Sequence, residues 1–171
     1  MSWWARAVYG TLVWQERRRA RRPASRRRRP PADPDDPGAR AEHLETGRRG
    51  ERLVYWYLRC HGYTVVARNR RPDAGAGELD LVGWDGPVLA FIEVKTRTGA
   101  ETGPPETAVG AEQRNRIVNS ARTYLRRLPS RDVSYRFDIA SVSWHPRTGY
   151  EVRVVKDAFK DSGEGGRARR F

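Results

Sequence analysis

Apolar and polar positions settle into a readable pattern at residue 46. Thr46 or Gly47 can cap a helix that runs through Cys60, with Leu53, Val54, Tyr57 and Leu58 at helical spacing and Gly62 as its C-terminal stop. Tyr63–Ala67 then reads as a strand, and Arg68–Gly77 as a basic, Gly-rich loop. Glu78–Gly83 and Val88–Val94 are strand-like runs joined by Trp84-Asp85-Gly86-Pro87, a strong hairpin signal. After a loop over Thr98–Pro105, Ala111–Arg127 is helical, with Ile117, Val118, Ala121, Tyr124 and Leu125 on one face. Tyr135–Val142 and Tyr150–Val155 close the pattern as two more strands. The predicted order is α-β-β-β-α-β-β, an α/β domain over 46–159 with no internal repeat, followed by a disordered tail over 160–171.

The first 45 residues follow no such rule. Residues 17–40 lack apolar periodicity, and five prolines between Pro23 and Pro37 deny them a regular helix, so they read as a disordered linker. Ahead of them, Trp3, Trp4, Val8, Leu12, Val13 and Trp14 could form a short amphipathic helix followed by arginines, the pattern of an interfacial anchor. Short helices are marginal in water, so this segment is expected to fold back on the domain or stay disordered. Residues 1–45 are therefore taken as a largely disordered basic arm. No apolar run approaches the ~18 residues of a membrane-spanning helix, and no export leader is evident. The expectation is a cytoplasmic protein without integral membrane association.

Charge narrows the partners. The 171 residues carry 34 Lys+Arg against 21 Asp+Glu, a formal charge of +13, and such a surface favours polyanions. Residues 1–29 hold ten Arg and one Glu, yet residues 46–157 still carry 19 basic and 13 acidic groups. The folded part is basic without the arm. A single cysteine, Cys60, cannot form an intramolecular disulfide, and the scattered His43, His61 and His145 make no zinc framework.

The chemistry collects on the hairpin. Side-chain alternation puts Phe91, Glu93 and Lys95 on one face of their strand, with Ile92 and Val94 on the other. Glu78, Asp80 and Val82 likewise share a face. A two- or four-residue loop sets Asp80 opposite Phe91 or Glu93, and either register brings Asp80 to the face of Glu93; a three-residue loop would not. Two carboxylates and an ammonium beside a basic loop suit phosphodiester hydrolysis, because hard oxygen ligands hold Mg²⁺ while the ion bridges substrate phosphate. Only Lys95, Lys156 and Lys160 among the 34 basic residues are lysines, so Lys95 runs against the chain's habit. The same residues equally suit an ordinary strand-end ion pair.

In order along the chain stand Gly47-Arg48-Arg49-Gly50-Glu51, Gly62-Tyr63, Arg68-Asn69-Arg70, Gly77-Glu78-Leu79-Asp80-Leu81-Val82, Phe91-Ile92-Glu93-Val94-Lys95-Thr96-Arg97 and Arg136-Phe137-Asp138. This series closely resembles the YraN family of bacterial proteins, collinearly from about Thr46 to Phe159. That family is in turn similar to the restriction-endonuclease-like PD-(D/E)xK superfamily, which includes archaeal Holliday-junction resolvases. The resemblance implies a mixed β-sheet flanked by helices and a nuclease site dependent on Mg²⁺ or Mn²⁺. It matches Asp80 and Glu93 to metal-binding acids, Lys95 to the motif lysine, Glu51 to an acid on the first helix and Gln113 to a glutamine that opens the second helix. The residue before that glutamine, usually basic in the family, is Glu112 here. Glu78 reads as a solvent-facing strand residue or a supporting acid, and Asp138 as structural. Arg68, Arg70, Arg71 and Arg97 are the candidate phosphate contacts.

Three functions are thereby open. The first is a nucleic-acid-binding, Mg²⁺-dependent endonuclease acting on DNA, selective for branched structures and dimeric like the resolvases it resembles. The second is a non-catalytic nucleic-acid-binding module of the same fold. The third is an adaptor held to an anionic membrane by the Trp- and Arg-rich N-terminus.

Overall fold

The computed structural model describes residues 3–20, 37–73, 77–97, 109–130, 132–145 and 149–161. Its elements are α1 (Trp3–Ala20), α2 (Pro37–Cys60), β1 (Thr64–Arg70), β2 (Leu79–Asp85), β3 (Val88–Arg97), α3 (Ala111–Arg126), β4 (Tyr135–His145) and β5 (Gly149–Phe159). The strands form one sheet in sequence order, β1-β2-β3-β4-β5. Every neighbouring pair is antiparallel except β3 and β4, which α3 connects as a parallel crossover. This is the mixed sheet flanked by helices that the sequence predicts.

Each sheet face has its own core. On one, Phe91, Phe137 and Phe159 stack in series, with centroids 5.8 and 5.0 Å apart, beneath Ile117, Val118 and Ala121 of α3. On the other, Leu53, Val54 and Leu58 of α2 cover Leu81, Ala90, Ile92, Ala140 and Val142. α2 ends where expected, with Gly62 at φ 91 in the left-handed region and Tyr63 N–H donating to the Leu58 carbonyl.

β3, β4 and β5 run past their expected ends, to Arg97, His145 and Phe159, and the structure differs from the sequence reading in three further places. α2 begins at Pro37, nine residues before Thr46, in a stretch whose polar residues give no periodic signal; a proline tolerates a helix's first turn because its missing N–H is not needed there. α1 is a regular 18-residue helix within the arm expected to be largely disordered. It folds back on the domain: Ala5 is buried, Tyr9 meets Tyr57 edge-to-face at 5.9 Å, and Leu12 and Val13 pack against the α2 core. Those contacts supply the stabilisation that an isolated short helix lacks. Residues 21–36 of the expected linker and 162–171 of the expected tail lie outside the described residues. Third, β1 runs through Arg70, so Arg68 and Arg70 belong to a strand rather than a loop. Its ladder with β2 continues to Arg70↔Leu79, overriding a local sequence of Arg and Asn that has little strand preference.

Asp138 has the structural task its position suggests. Fully buried, it takes the Arg136 guanidinium at 2.9 Å and the Asp157 backbone N–H at 2.8 Å. The β4–β5 register shifts between Phe137 and Ile139, and Asp157 sits in the left-handed region at φ 56. The carboxylate thus satisfies an amide beside an irregularity in the ladder. Arg136 also reaches Asp85 at 2.6 Å and Tyr63 Oη at 2.9 Å, tying β2, β4 and the end of α2 together.

Candidate active site

The site is built where β2 starts and β3 runs on. Asp85 pairs with Val88 across a two-residue turn, and the register continues through Val82↔Phe91 to Leu81↔Ile92. Continuing it places Asp80 opposite Glu93, on the sheet face covered by α3. Past Leu81 the Asp80 side chain extends the pairing in place of backbone, because its Oδ2 accepts the Val94 N–H at 2.8 Å. β3 meanwhile continues along β4 as far as Arg97↔Ser143. Its last residues therefore form an open ledge beside the start of β2.

Three further elements bring groups to that ledge. Gln113, in the first turn of α3, bridges the two charged residues of β3: its Nε2 donates to Glu93 Oε1 at 2.6 Å, and its Oε1 accepts from Lys95 Nζ at 3.0 Å. Lys95 Nζ also pairs directly with Glu93 Oε1 at 3.0 Å. Glu51 arrives from α2, on the opposite face, and accepts from Asn69 Nδ2 of β1 at 2.6 Å. α2 can come this close because residue 50 is glycine. A Cβ there would overlap Thr96 Oγ1 of β3, so only a bare backbone lets the helix lie against the ledge.

Electrostatics single out Asp80. Burial first, and the neighbouring Glu93 carboxylate second, push its carboxyl up to about 7; Glu51 adds to the rise, while the Val94 amide and Lys95 oppose it. A partly buried acid raised by desolvation and like-charged neighbours, with an ammonium at hand, is a frequent mark of a functional site. The donor set fits Mg²⁺, an ion that takes one or two carboxylates and keeps several waters. Asp80 and Glu93 would hold it, with Glu51 facing them. Among the described residues no three His, Cys, Asp or Glu side chains converge into a complete protein cage.

All five candidate catalytic residues thus gather at one end of the sheet, and the expected strand-end ion pair is present within the same group. The arginines disperse. Arg68 lies over the Tyr55 ring at 4.5 Å, on the α2 side. Arg70 lines a hollow of about 170 Å³ with Pro72, Tyr124, Arg127 and Leu128, near the far end of α3. Tyr124 lies eleven residues past Gln113, roughly 16 Å along the helix. Arg71 pairs with Glu78 at 2.9 Å, making Glu78 an ion-pair partner on the surface. Arg97 ends β3, and Glu112 pairs with Arg116 at 3.6 Å. Sequence reasoning missed Asn69. It holds Glu51, and its own φ of 46 breaks the strand's alternation, sending Arg68 and Arg70 to opposite faces of the sheet. An Asn between two strand residues, a type tolerant of the left-handed region, was the available signal.

Fold and site together define an α/β protein with a mixed five-stranded sheet and an Asp–Glu–Lys cluster where its hairpin opens. Residues 50–142 match the family described as Uncharacterised protein family UPF0102, and the chain belongs to that family, the YraN family of the sequence resemblance. A UPF0102 protein of Koribacter versatilis is 48% identical over 132 residues, 77% of this chain and 88% of its own length. Another, of Solibacter usitatus, is 57% identical over 96 residues, covering 56% and 73%. A third, of Symbiobacterium thermophilum, is 40% identical over 113 residues, covering 66% and 94%. No helix among the described residues is long and apolar enough to cross a membrane.

Proposed function

We propose that this protein is a nucleic-acid-binding, Mg²⁺-dependent endonuclease that hydrolyses phosphodiester bonds. The observation that carries this is the meeting of half-buried Asp80 with buried Glu93 and with Lys95 on an open strand ledge, in the order of a PD-(D/E)xK site. The excess of basic over acidic groups in residues 46–157 favours a polyanionic substrate, with DNA the first candidate. A bound divalent ion supplies charge stabilisation to the phosphate oxygens as the phosphodiester is attacked. The chain's own groups do the rest. Asp80 and Glu93 hold the negative potential that attracts the cation. Lys95 sets a compact positive charge beside the scissile phosphate and orients the attacking water, and Gln113 fixes the spacing of Glu93 and Lys95. Asn69 aims Glu51 at the same ledge.

A second reading, a binding module without catalysis, draws on the engagement of Glu93 by both Lys95 and Gln113, which occupies an oxygen that a metal would need. One experiment separates the two. The full chain is incubated with labelled four-way junction, flap, duplex and single-stranded DNA in Mg²⁺ or Mn²⁺, beside Asp80→Asn and Lys95→Ala. Cutting by the wild type alone, with binding kept in both variants, supports the nuclease, and the preferred substrate shows whether it selects branched structures. Binding without cutting in either metal, on DNA and on RNA, favours the module. A homodimer, by analogy with enzymes that cut paired strands of a junction, would appear in sedimentation at working concentration.

A further inference from the structure

One cluster lies beside the site without belonging to it. On α2, Tyr55 stands one turn past Glu51 and touches Trp56 edge-to-face at 5.0 Å. The Arg68 guanidinium sits 4.5 Å above the Tyr55 ring, and Arg59 lies 5.6 and 5.7 Å from the Tyr55 and Trp56 rings, donating to Tyr55 Oη at 2.7 Å. Both aromatic rings are half-buried, whereas Arg68 is exposed, so the stack ends in a guanidinium open to solvent. The core needs none of these charges.

The position along the chain matters as much as the composition. Arg68 directly precedes Asn69, whose amide holds Glu51, and Glu51 contributes to the field at Asp80. The cluster therefore abuts the α2 side of the carboxylates. A guanidinium lying over an aromatic ring, as Arg68 lies over Tyr55, receives unpaired bases, which stack on it. Bases inside a duplex present edges rather than faces and cannot join such a stack.

We propose that Arg68 laid over Tyr55, with Trp56 and Arg59 bracing the Tyr55 ring at its edge, forms a stacking platform for an unpaired nucleobase, which selects strands with a single-stranded segment beside the phosphate at the Asp80–Glu93 ledge. This rests on the nuclease reading for its substrate, and it adds that the base, not only the backbone, is held. Arg68 is then a specificity residue rather than one phosphate contact among many.

The test is binding without catalysis. The full chain, in chelator and without divalent ions, is titrated by fluorescence anisotropy against a labelled single strand, an abasic strand of equal length and charge, and a blunt duplex. Wild type is expected to bind the base-bearing strand about tenfold more tightly than the abasic one, the size of one good stacking contact. Arg68→Lys keeps the charge but loses the plane; it should retain affinity for the abasic strand and lose the preference, and Tyr55→Leu should lose the preference too. Equal binding of both strands by wild type overturns the proposal. So does a preference that survives in Arg68→Lys, because charge alone would then suffice. Since no metal is present, absence of cleavage in the earlier assay leaves this reading standing, and a protein that cuts but ignores the base refutes this reading alone.

Discussion

Replacing Asp80 by asparagine should make the metal-free protein more stable, and more so as pH rises. The carboxyl is raised from 3.8 to about 7 by burial and by Glu93. Below about pH 4 it is protonated whether the chain is folded or not, and charge costs nothing. Between about 4 and 7 the unfolded chain releases a proton that the folded one keeps, so folding stability falls by about 1.36 kcal/mol for each pH unit. The whole shift amounts to about 4 kcal/mol, and roughly 3 of these should be lost between pH 5 and pH 8. Asp80→Asn removes this loss while leaving an oxygen to accept the Val94 N–H. Urea denaturation of both proteins in chelator, at half-unit steps across this range, reads the difference. A gap that widens by roughly 3 kcal/mol toward pH 8 is expected. Saturating Mg²⁺ should then raise the wild type at pH 8, by about 2.7 kcal/mol at a hundred times its dissociation constant, and leave the variant unmoved. Parallel pH profiles for the two proteins would refute the argument, because they would mean that Asp80 ionises as an ordinary surface acid.

Gly50→Ala gains about 1 kcal/mol of helix propensity but forces a Cβ into Thr96; the overlap, about 1–3 kcal/mol, should win. Thermal melting should show a lower midpoint, partly recovered when Thr96→Ala is added. Arg136→Ala strips fully buried Asp138 of its guanidinium partner and should cost about 3–5 kcal/mol, measured by chemical denaturation. Gln113→Leu keeps the fold but removes the amide bridge, leaving Glu93 and Lys95 held only by their direct ion pair, so cleavage should fall about 10–100-fold at fixed Mg²⁺, with an unchanged melting curve.

The hairpin was the most legible part of the chain. Trp84-Asp85-Gly86-Pro87 signals the turn, alternation assigns the faces, and the observed two-residue connection with Leu81↔Ile92 is the one of the two foreseen registers that, continued, sets Asp80 opposite Glu93. Glu51 and Gln113 were different. Each looks like a helix-surface polar residue, and only the resemblance marked them, because their meeting with β3 depends on how α2 and α3 cross opposite faces of the sheet. The roles of Gly50 and Asn69 were hidden for a related reason: a close approach and a left-handed backbone are properties of the assembled pair, not of local pattern. The early start of α2 was missed, and whether the N-terminal helix folds back or stays disordered was left open, because their support comes from contacts such as Tyr9 with Tyr57, which no window of sequence contains.

Among the described residues β1 is an outer strand of the sheet, with no strand paired along its second edge. Its register with β2 slips between Val65 and Ala67, and Asn69 then turns the chain left-handed, leaving only Ala67 and Arg68 as an uninterrupted stretch. A strand from a second molecule needs several consecutive residues to zip onto such a border, and here it would meet a kink at both ends along with the Arg68 and Arg70 charges. The irregularity that delivers Asn69 to Glu51 thus also discourages runaway strand addition along this border.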